Sequence, residues 1–264
     1  MNARRNVLMM AVAAALCGGI SLADSWCGDG IPSIPDDGQS SRSWSVDVAV
    51  PADHLVVSAS VVVDVSHPWV GDLEITVFSP SGVPVTLLDR PGMPDGGWIG
   101  PWGCGGDDMN VRFDDSAANT AEETCSQWDM PVIGGAKRPL QGLSLLYGVS
   151  AAGTWRLDFF DHSPIDAGMV NAVCVDLETS PDCNANGIPD VDDIAGGGSE
   201  DADGDGVPDE CQCQADLDDD GIVNVNDVLI LIGQFGSPGT ADLDGDGTVD
   251  SDDLLLLLAS WGVC

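Results

Sequence analysis

Residues 56–82 read VVSASVVVDVSHPWVGDLEITVFSPSG, and this stretch decides the fold class. Residues 56–65 are an almost unbroken run of β-branched chain, and Leu73, Ile75 and Val77 then alternate with polar neighbours. A period of two buries one face of a strand, whereas a helix would need apolar residues three and four apart. Ser79-Pro80-Ser81-Gly82 closes the stretch with turn chemistry suited to a tight connection between neighbouring strands.

The same period recurs on both sides. Trp44, Val46, Val48 and Val50 precede it; Val83, Val85 and Leu87, then Trp155, Leu157 and Phe159, then Val173, Val175 and Leu177 follow. No helical period interrupts residues 28–178, so an antiparallel sandwich or jelly roll is expected, in a segment long enough to bury its own core. The Gly-rich segment 91–136 reads as a loop insertion. Its Trp98, Trp102 and Trp128 are read as pins between that loop and the sandwich, with a glycan platform as the alternative.

Charge divides the chain. There are 44 Asp+Glu against 8 Lys+Arg, a net charge of −36, which excludes nucleic-acid binding by phosphate neutralisation. Hydrophobic residues at 44% exclude a wholly disordered chain. Every fixed cation lies at or before Arg156, so residues 157–264 would repel themselves unless a cation from solution intervened.

The acidic stretch has the spacing for such a cation. Asp216, Asp218, Asp220, Gly221, Ile222, Asn224 and Asp227 fall at positions 1, 3, 5, 6, 7, 9 and 12 of a loop. Asp242, Asp244, Asp246, Gly247, Thr248, Asp250 and Asp253 repeat the pattern 26 residues later. Alternate acids in a tight loop turn their oxygens inward around one hard ion, glycine at position 6 permits the bend, and position 7 offers its carbonyl. Ca²⁺ is the expected ion, with the final Asp binding through both oxygens. Each loop runs into an apolar segment, 228–232 and 254–258, that reads as a helix needing its twin for burial; Gly233 and Gly236 are expected to end the first and Gly262 the second.

Two looser versions precede them. Asp182, Asn184, Asn186, Gly187, Ile188, Asp190 and Asp193 occupy positions 1, 3, 5, 6, 7, 9 and 12; Asp201, Asp203, Asp205, Gly206 and Asp209 fit the same frame, with Gln212 at position 12. Calcium is expected here too. The alternative is a flexible acidic spacer, helped by Gly196-Gly197-Gly198.

Arg4 and Arg5, an apolar run over residues 7–20, and Ser21-Leu22-Ala23 read as a secretory signal cleaved after residue 23, with lipidation at Cys17 as a lesser alternative. No later segment is long enough to span a membrane. Cleavage leaves eight of the nine cysteines, and an even number in an exported chain favours disulfides. Position suggests Cys104 with Cys125 and Cys213 with Cys264, followed by Cys27 with Cys174 and Cys183 with Cys211.

HPWVGDL (67–73), FSPSG (78–82), GTWRLDFFD (153–161) and DAGMV (166–170) together resemble the P domain, or Homo B domain, of subtilisin-like proprotein convertases. The resemblance implies an eight-stranded β jelly roll that sits beside a protease domain and stabilises it. No catalytic neighbour is visible: His54, His67 and His162 are the only imidazoles and none lies in a subtilase-like setting. His67 and His162 are therefore read as loop-packing residues. Asp72 is read as accepting backbone N–H bonds around Gly71, with calcium an alternative for Asp72, Asp161 and Asp166; Asp114 and Asp115 are read as solvated or calcium-binding.

DLDDDGIVNVNDVLILIGQFG (216–236) and DLDGDGTVDSDDLLLLLASWG (242–262) resemble a type I dockerin, which implies attachment to a cohesin-like or surface protein through the helices. The unequal pairs Val225-Asn226 and Ser251-Asp252, where dockerins carry recognition residues, argue against symmetric dual-mode docking. The loops at 182 and 201 resemble thrombospondin type 3 repeats, including Pro189 and Pro208 after position 7. The organisation expected is a signal peptide (1–23), a P-domain-like β sandwich (24–178), an acidic calcium-binding linker (179–213) and a dockerin-like pair of EF-hand-type loop-helix repeats (214–264). The fold class is mostly β with a small α part. The expected function is calcium-dependent docking or surface attachment without catalysis. The alternatives are an accessory component of a secreted subtilisin-like protease system, or glycan binding.

Overall fold

The computed structural model describes residues 24–31, 33–92, 103–125, 129–202, 204–218 and 220–263. The expected signal peptide and the three tryptophans of the Gly-rich segment lie outside them. Nine strands build two sheets: β1 (Asp24–Asp29), β2 (Ser41–Val48), β3 (His54–Ser66), β4 (Leu73–Phe78), β5 (Pro84–Asp89), β6 (Met109–Phe113), β7 (Ile133–Lys137), β8 (Gly153–Asp161) and β9 (Met169–Pro181). One sheet has the order β1-β9-β3-β6-β7 and the other β2-β8-β4-β5.

The core lies between the sheets and follows the alternation in the sequence. Leu73, Ile75 and Val77 of β4 are buried, as are Trp155, Leu157 and Phe159 of β8, facing Val61, Val63, Val65, Val173 and Val175 of the other sheet. The turn at 79–82 forms as read: Ser79 Oγ accepts the Val83 N–H at 3.1 Å, and Gly82 takes a φ of +85°. Val83 itself stays outside β5.

Three features depart from the sequence reading. Segment 91–136 is not all loop, because Met109, Val111 and Phe113 alternate into the core and form β6. The sandwich is not wholly antiparallel: β6 and β7 run parallel, which the long connection between them permits. Nine strands replace the eight implied by the resemblance. The outermost, β1, adds to β9 in a register that sets Cys27 opposite Cys174, and the two are bonded.

Disulfides also join Cys104 to Cys125 and Cys183 to Cys211, as expected from position. Cys213 is in a disulfide as well, while Cys264, its expected partner, lies outside the described residues.

Beyond β9 come α1 (Asp190–Gly196), β10 (Ile222–Val223), α2 (Val225–Gln234), α3 (Ser251–Ala259) and β11 (Gly262–Val263), with β10 and β11 paired. Gly233 lies inside α2 rather than ending it; the positive φ that turns the chain away is at Gly236, +79°. A small second core gathers Ala215, Val223, Leu231, Ala241, Val249 and Leu257, so each of the last two helices buries one leucine against its twin. Among the described residues no helix is long and apolar enough to cross a membrane.

Candidate metal centres

The last two loops are shaped by their own carboxylates. In the first, Asp216 accepts the N–H groups of Asp220 and Gly221 at 3.2 and 2.6 Å, Asp220 accepts that of Ile222 at 2.9 Å, and Gly221 makes the bend at φ +83°. Asn224 caps α2 by accepting from Asn226 at 2.8 Å. The second loop repeats this, with Asp242 accepting from Gly247 at 2.8 Å, Asp244 from Asp246 at 3.0 Å, Asp246 from Thr248 at 2.9 Å, and Asp250 capping α3. Oxygens of Asp216, Asp218 and Asp227 come within 4.8 Å of one another, as do those of Asp242, Asp244 and Asp246.

That convergence has an electrostatic cost. Burial, then the charges of Asp220, Asp227 and Asp216, raises the Asp218 pKa. At Asp244 the Asp246 N–H pulls downward, yet burial and the charges of Asp246, Asp253 and Asp242 outweigh it and the pKa is raised. Asp242 Oδ1 is buried and has no hydrogen-bond partner among the described residues. A buried carboxylate oxygen without a donor is costly unless a cation meets it. The all-oxygen donor set and the 1-3-5 spacing fit Ca²⁺ at these loops.

The final acids of both loops are held by backbone donors. Asp227 accepts from Leu217, Asp218 and Asn224 at 2.8, 3.3 and 2.7 Å; Asp253 accepts from Leu243, Asp244 and Asp250 at 2.7, 3.2 and 2.7 Å. Both oxygens of each are thus occupied by backbone donors. Three of roughly four lone-pair sites of each carboxylate are taken by these bonds. The shorter Asp, set at the third position of its helix, closes a capping box, while in the first loop a carboxylate oxygen of Asp227 still stands with those of Asp216 and Asp218. The Asp250 N–H foremost holds Asp253 below its ordinary pKa; at Asp227 burial opposes the shift, but the bonds from Asn224, Leu217 and Asp218 prevail. Ile222 likewise turns its carbonyl to Asn224 Nδ2 at 2.9 Å.

The two earlier loops share one scaffold. Asp182 accepts from Asn186 and Gly187, and Asp201 from Gly204, Asp205 and Gly206. Asn186 and Asp205 accept from Ile188 and Val207, two residues on. The loops are closed by Asp190 and Asp209, at position 9, which accept from Cys183 and Ala202, both at 2.9 Å. Asp203 lies outside the described residues. Asp193 collects Asn184 Nδ2, Asn186 Nδ2 and Ser199 Oγ at 3.1, 2.6 and 2.7 Å, and these bonds, Ser199's first, hold its pKa below the ordinary value. Glu210 escaped sequence reasoning: its Oε1 accepts from Asn184 Nδ2 at 3.0 Å and lies 2.6 Å from Ser199 Oγ, whose single proton it shares with Asp193, so the second repeat reaches into the first. The Cys183–Cys211 bond beside it was the available signal.

In the sandwich, His67 is fully buried. Its Nε2 lies 3.2 Å from Asp161 Oδ2, Nδ1 accepts the Trp69 N–H at 3.1 Å, and its own N–H donates to Asp108 at 3.0 Å. It therefore ties three segments together. Base and acid are both present, but no serine hydroxyl is among the His67 partners in the described residues, and substrate cannot reach a pair with no exposed side-chain surface. Asp72 does not make the turn with its carboxylate as expected; its main chain does, donating to Trp69 O at 3.2 Å and accepting from His162 at 2.9 Å. Burial, followed by the Asp161 charge, pushes the Asp72 pKa up to about 6. Asp114 accepts from Ser116, and Asp115 accepts from Leu143 and Ser144 at 2.8 and 2.9 Å, so both anchor turns.

The model of the proprotein convertase P-domain family matches residues 56–175, from the second residue pair of β3 well into β9. No curated protein matches the chain. Two solved structures are similar in part. One is the serine protease of Aeromonas sobria in complex with a chaperone, at 17% identity and a TM-score of 0.36, covering 60% of this chain and 26% of that chain. The other is the serine protease of Aeromonas sobria, at 17% identity and a TM-score of 0.34, covering 58% of this chain and 26% of that chain. The chain spans about a quarter (26%) of the length of each.

Proposed function

We propose that this chain is an exported, non-catalytic accessory component of a subtilisin-like serine protease system, with the sandwich acting as its P domain. The observation that carries the reading is the family-model match over residues 56–175, which runs from β3 into β9 and so takes in seven of the nine described strands of the two sheets. A domain of this kind acts by packing against a catalytic domain and lending it stability, so no nucleophile is required of this chain. The three disulfides whose partners are both among the described residues fit an oxidising, extracellular location.

Calcium and docking complete the proposal at the other end. The four acidic loops take Ca²⁺, and the C-terminal pair acts as a dockerin-like attachment module toward a cohesin-like or surface protein. Buried, partnerless Asp242 Oδ1 and the outward apolar side chains Leu229, Ile232, Leu255 and Leu258 support this part. With Kd near 10⁻⁶ M and free calcium near 10⁻³ M, one site stabilises the fold by roughly 4 kcal/mol, comparable to the whole stability of a small module.

The test is to add the purified full chain to a subtilisin-type catalytic domain and follow the half-life of peptide hydrolysis at elevated temperature, with calcium present. A longer half-life, with no turnover by the chain alone, is the expected result. Hydrolysis by the chain alone, or no effect on any catalytic domain from the same secretome, overturns the reading.

A further inference from the structure

The outer face of the four-stranded sheet carries a cluster that the accessory role does not use. Glu74 projects from β4, Asp89 from the end of β5, and His162 follows β8 directly. Register brings them together: Glu74 is paired with Asp89 on one side and with Phe160 on the other, so three adjacent strands deliver one ligand group each. His162 Nε2 lies 2.8 Å from Glu74 Oε2, and one ligand atom from each of the three residues falls within 4.8 Å of the others.

We propose that Glu74, Asp89 and His162 form a binding site for a divalent transition-metal ion of the zinc class. An imidazole nitrogen with two carboxylates is a borderline donor set that suits zinc, unlike the all-oxygen acidic loops, which suit calcium. Zinc sits about 2.0–2.2 Å from nitrogen and oxygen ligands, so bound ligand atoms stand a little over 3 Å apart, and the present spacing closes with small side-chain rotations.

The carriers of the ligands are held in place. The His162 N–H is bonded to Asp72 O at 2.9 Å, and its ring stands edge-on to Phe160 with centroids 4.4 Å apart. The Asp89 N–H donates to Glu122 Oε1 at 2.7 Å, and Arg90 Nε donates to Asp89 Oδ1 at 3.1 Å, the kind of outer partner that orients a ligating carboxylate. A depression of about 240 Å³, lined by Glu74, Phe78, Asp158, Phe160 and His162 among others, adjoins the pair and leaves room for water to complete the coordination. The His162 and Glu74 side chains are 30% and 37% exposed, so an ion can enter from solvent. The Asp72 carboxylate, close enough to His162 for their charges to interact, adds to the negative field.

The experiment uses the full chain saturated with calcium, so that the acidic loops already hold a hard ion. Zinc is then titrated by calorimetry, and Co²⁺ by its visible absorption. One further equivalent of zinc is expected, with a cobalt band of nitrogen and oxygen coordination. His162→Ala and Glu74→Gln should each weaken this binding at least about tenfold, and His54→Ala should leave it unchanged. Circular dichroism and melting of each variant establish that it is folded, and Asp89→Asn supplies a further substitution that leaves the histidine in place. No saturable zinc uptake above the calcium-loaded baseline would mean that His162 and Glu74 are an ion pair only. Uptake that survives both His162→Ala and Glu74→Gln would place the zinc on the acidic loops. Either result overturns the proposal.

Discussion

Asp253 illustrates how much one carboxylate organises in this chain. It is fully buried, accepts three backbone N–H groups, and joins the start of its loop to the first turn of its helix. Asp253→Ala removes all three bonds at once and leaves three part-buried donors unmet. We expect this variant to lose most of the α3 signal in circular dichroism, and Asp227→Ala to do the same to α2. Glycines set limits of another kind. A Cβ on Gly168 would stand 2.3 Å from His67 Cδ2 and 2.9 Å from Ser66 O, so Gly168→Ala must displace the buried histidine or the backbone. A loss of about 1–3 kcal/mol in urea unfolding is expected. Positions 1, 3 and 5 of the loops were legible in the sequence because their spacing is local. Glu210, Glu74 and Asp89 were not, because their partners are set by a disulfide or by strand register, and neither can be read from neighbouring letters.

Among the elements, α2 and α3 depend on very little. Each contributes one fully buried leucine, Leu231 or Leu257, to a core whose other buried members are alanines and valines, with Leu217, Val228, Leu243 and Leu254 partly buried against it. Leu231→Ala should cost about 2–5 kcal/mol, which matches or exceeds the stability of so small a unit. We expect the variant to show no cooperative helical transition even with calcium, while the sandwich transition persists in calorimetry. The strands that were legible, interior β3, β4, β8 and β9 and edge strands β2 and β5, each bury one face and show it as apolar residues at a period of two or as a β-branched run. The missed edge strands β1 and β7 lack that signature: β1 is held by its bond to β9, and β7 carries Gly134 and Gly135 where apolar residues would stand. Interior β6 does alternate, but its five residues sit in a glycine-rich setting that masked them.

At the scale of the whole molecule, a few carboxyls in each half carry a pH response. Burial, opposed mainly by the bond from the Asp89 N–H, pushes the Glu122 pKa from 4.5 up to about 7. A carboxyl with a raised folded-state pKa contributes stability that is complete below its ordinary value and lost as pH rises through the folded one. The sandwich should therefore melt higher at pH 5 than at pH 8, with Asp72 adding in the same direction up to about 6. Glu122→Gln should flatten the trend and raise stability at pH 8 by about 2 kcal/mol, a figure discounted for the part of the side chain that water still reaches. Asp227 and Asp253, with lowered pKa values, contribute stability that is present above the ordinary carboxyl range and lost as pH falls below it. The C-terminal repeats should unfold first in strong acid, and a chelator at neutral pH should unfold them alone. Two calorimetric transitions that shift together under both treatments would contradict this division.

The pairing of β1 with β9 has a geometrical corollary. Asp24 is the register partner of Leu177, and β9 ends only a few residues later at Pro181, so the polypeptide enters and leaves the sandwich side by side. A unit whose ends are neighbours can be spliced into a surface loop of an unrelated host without prising that host apart. The Cys27–Cys174 bridge would then act as a clasp at the neck of the graft, bearing any pull on the flanking chains before the sheets themselves feel it.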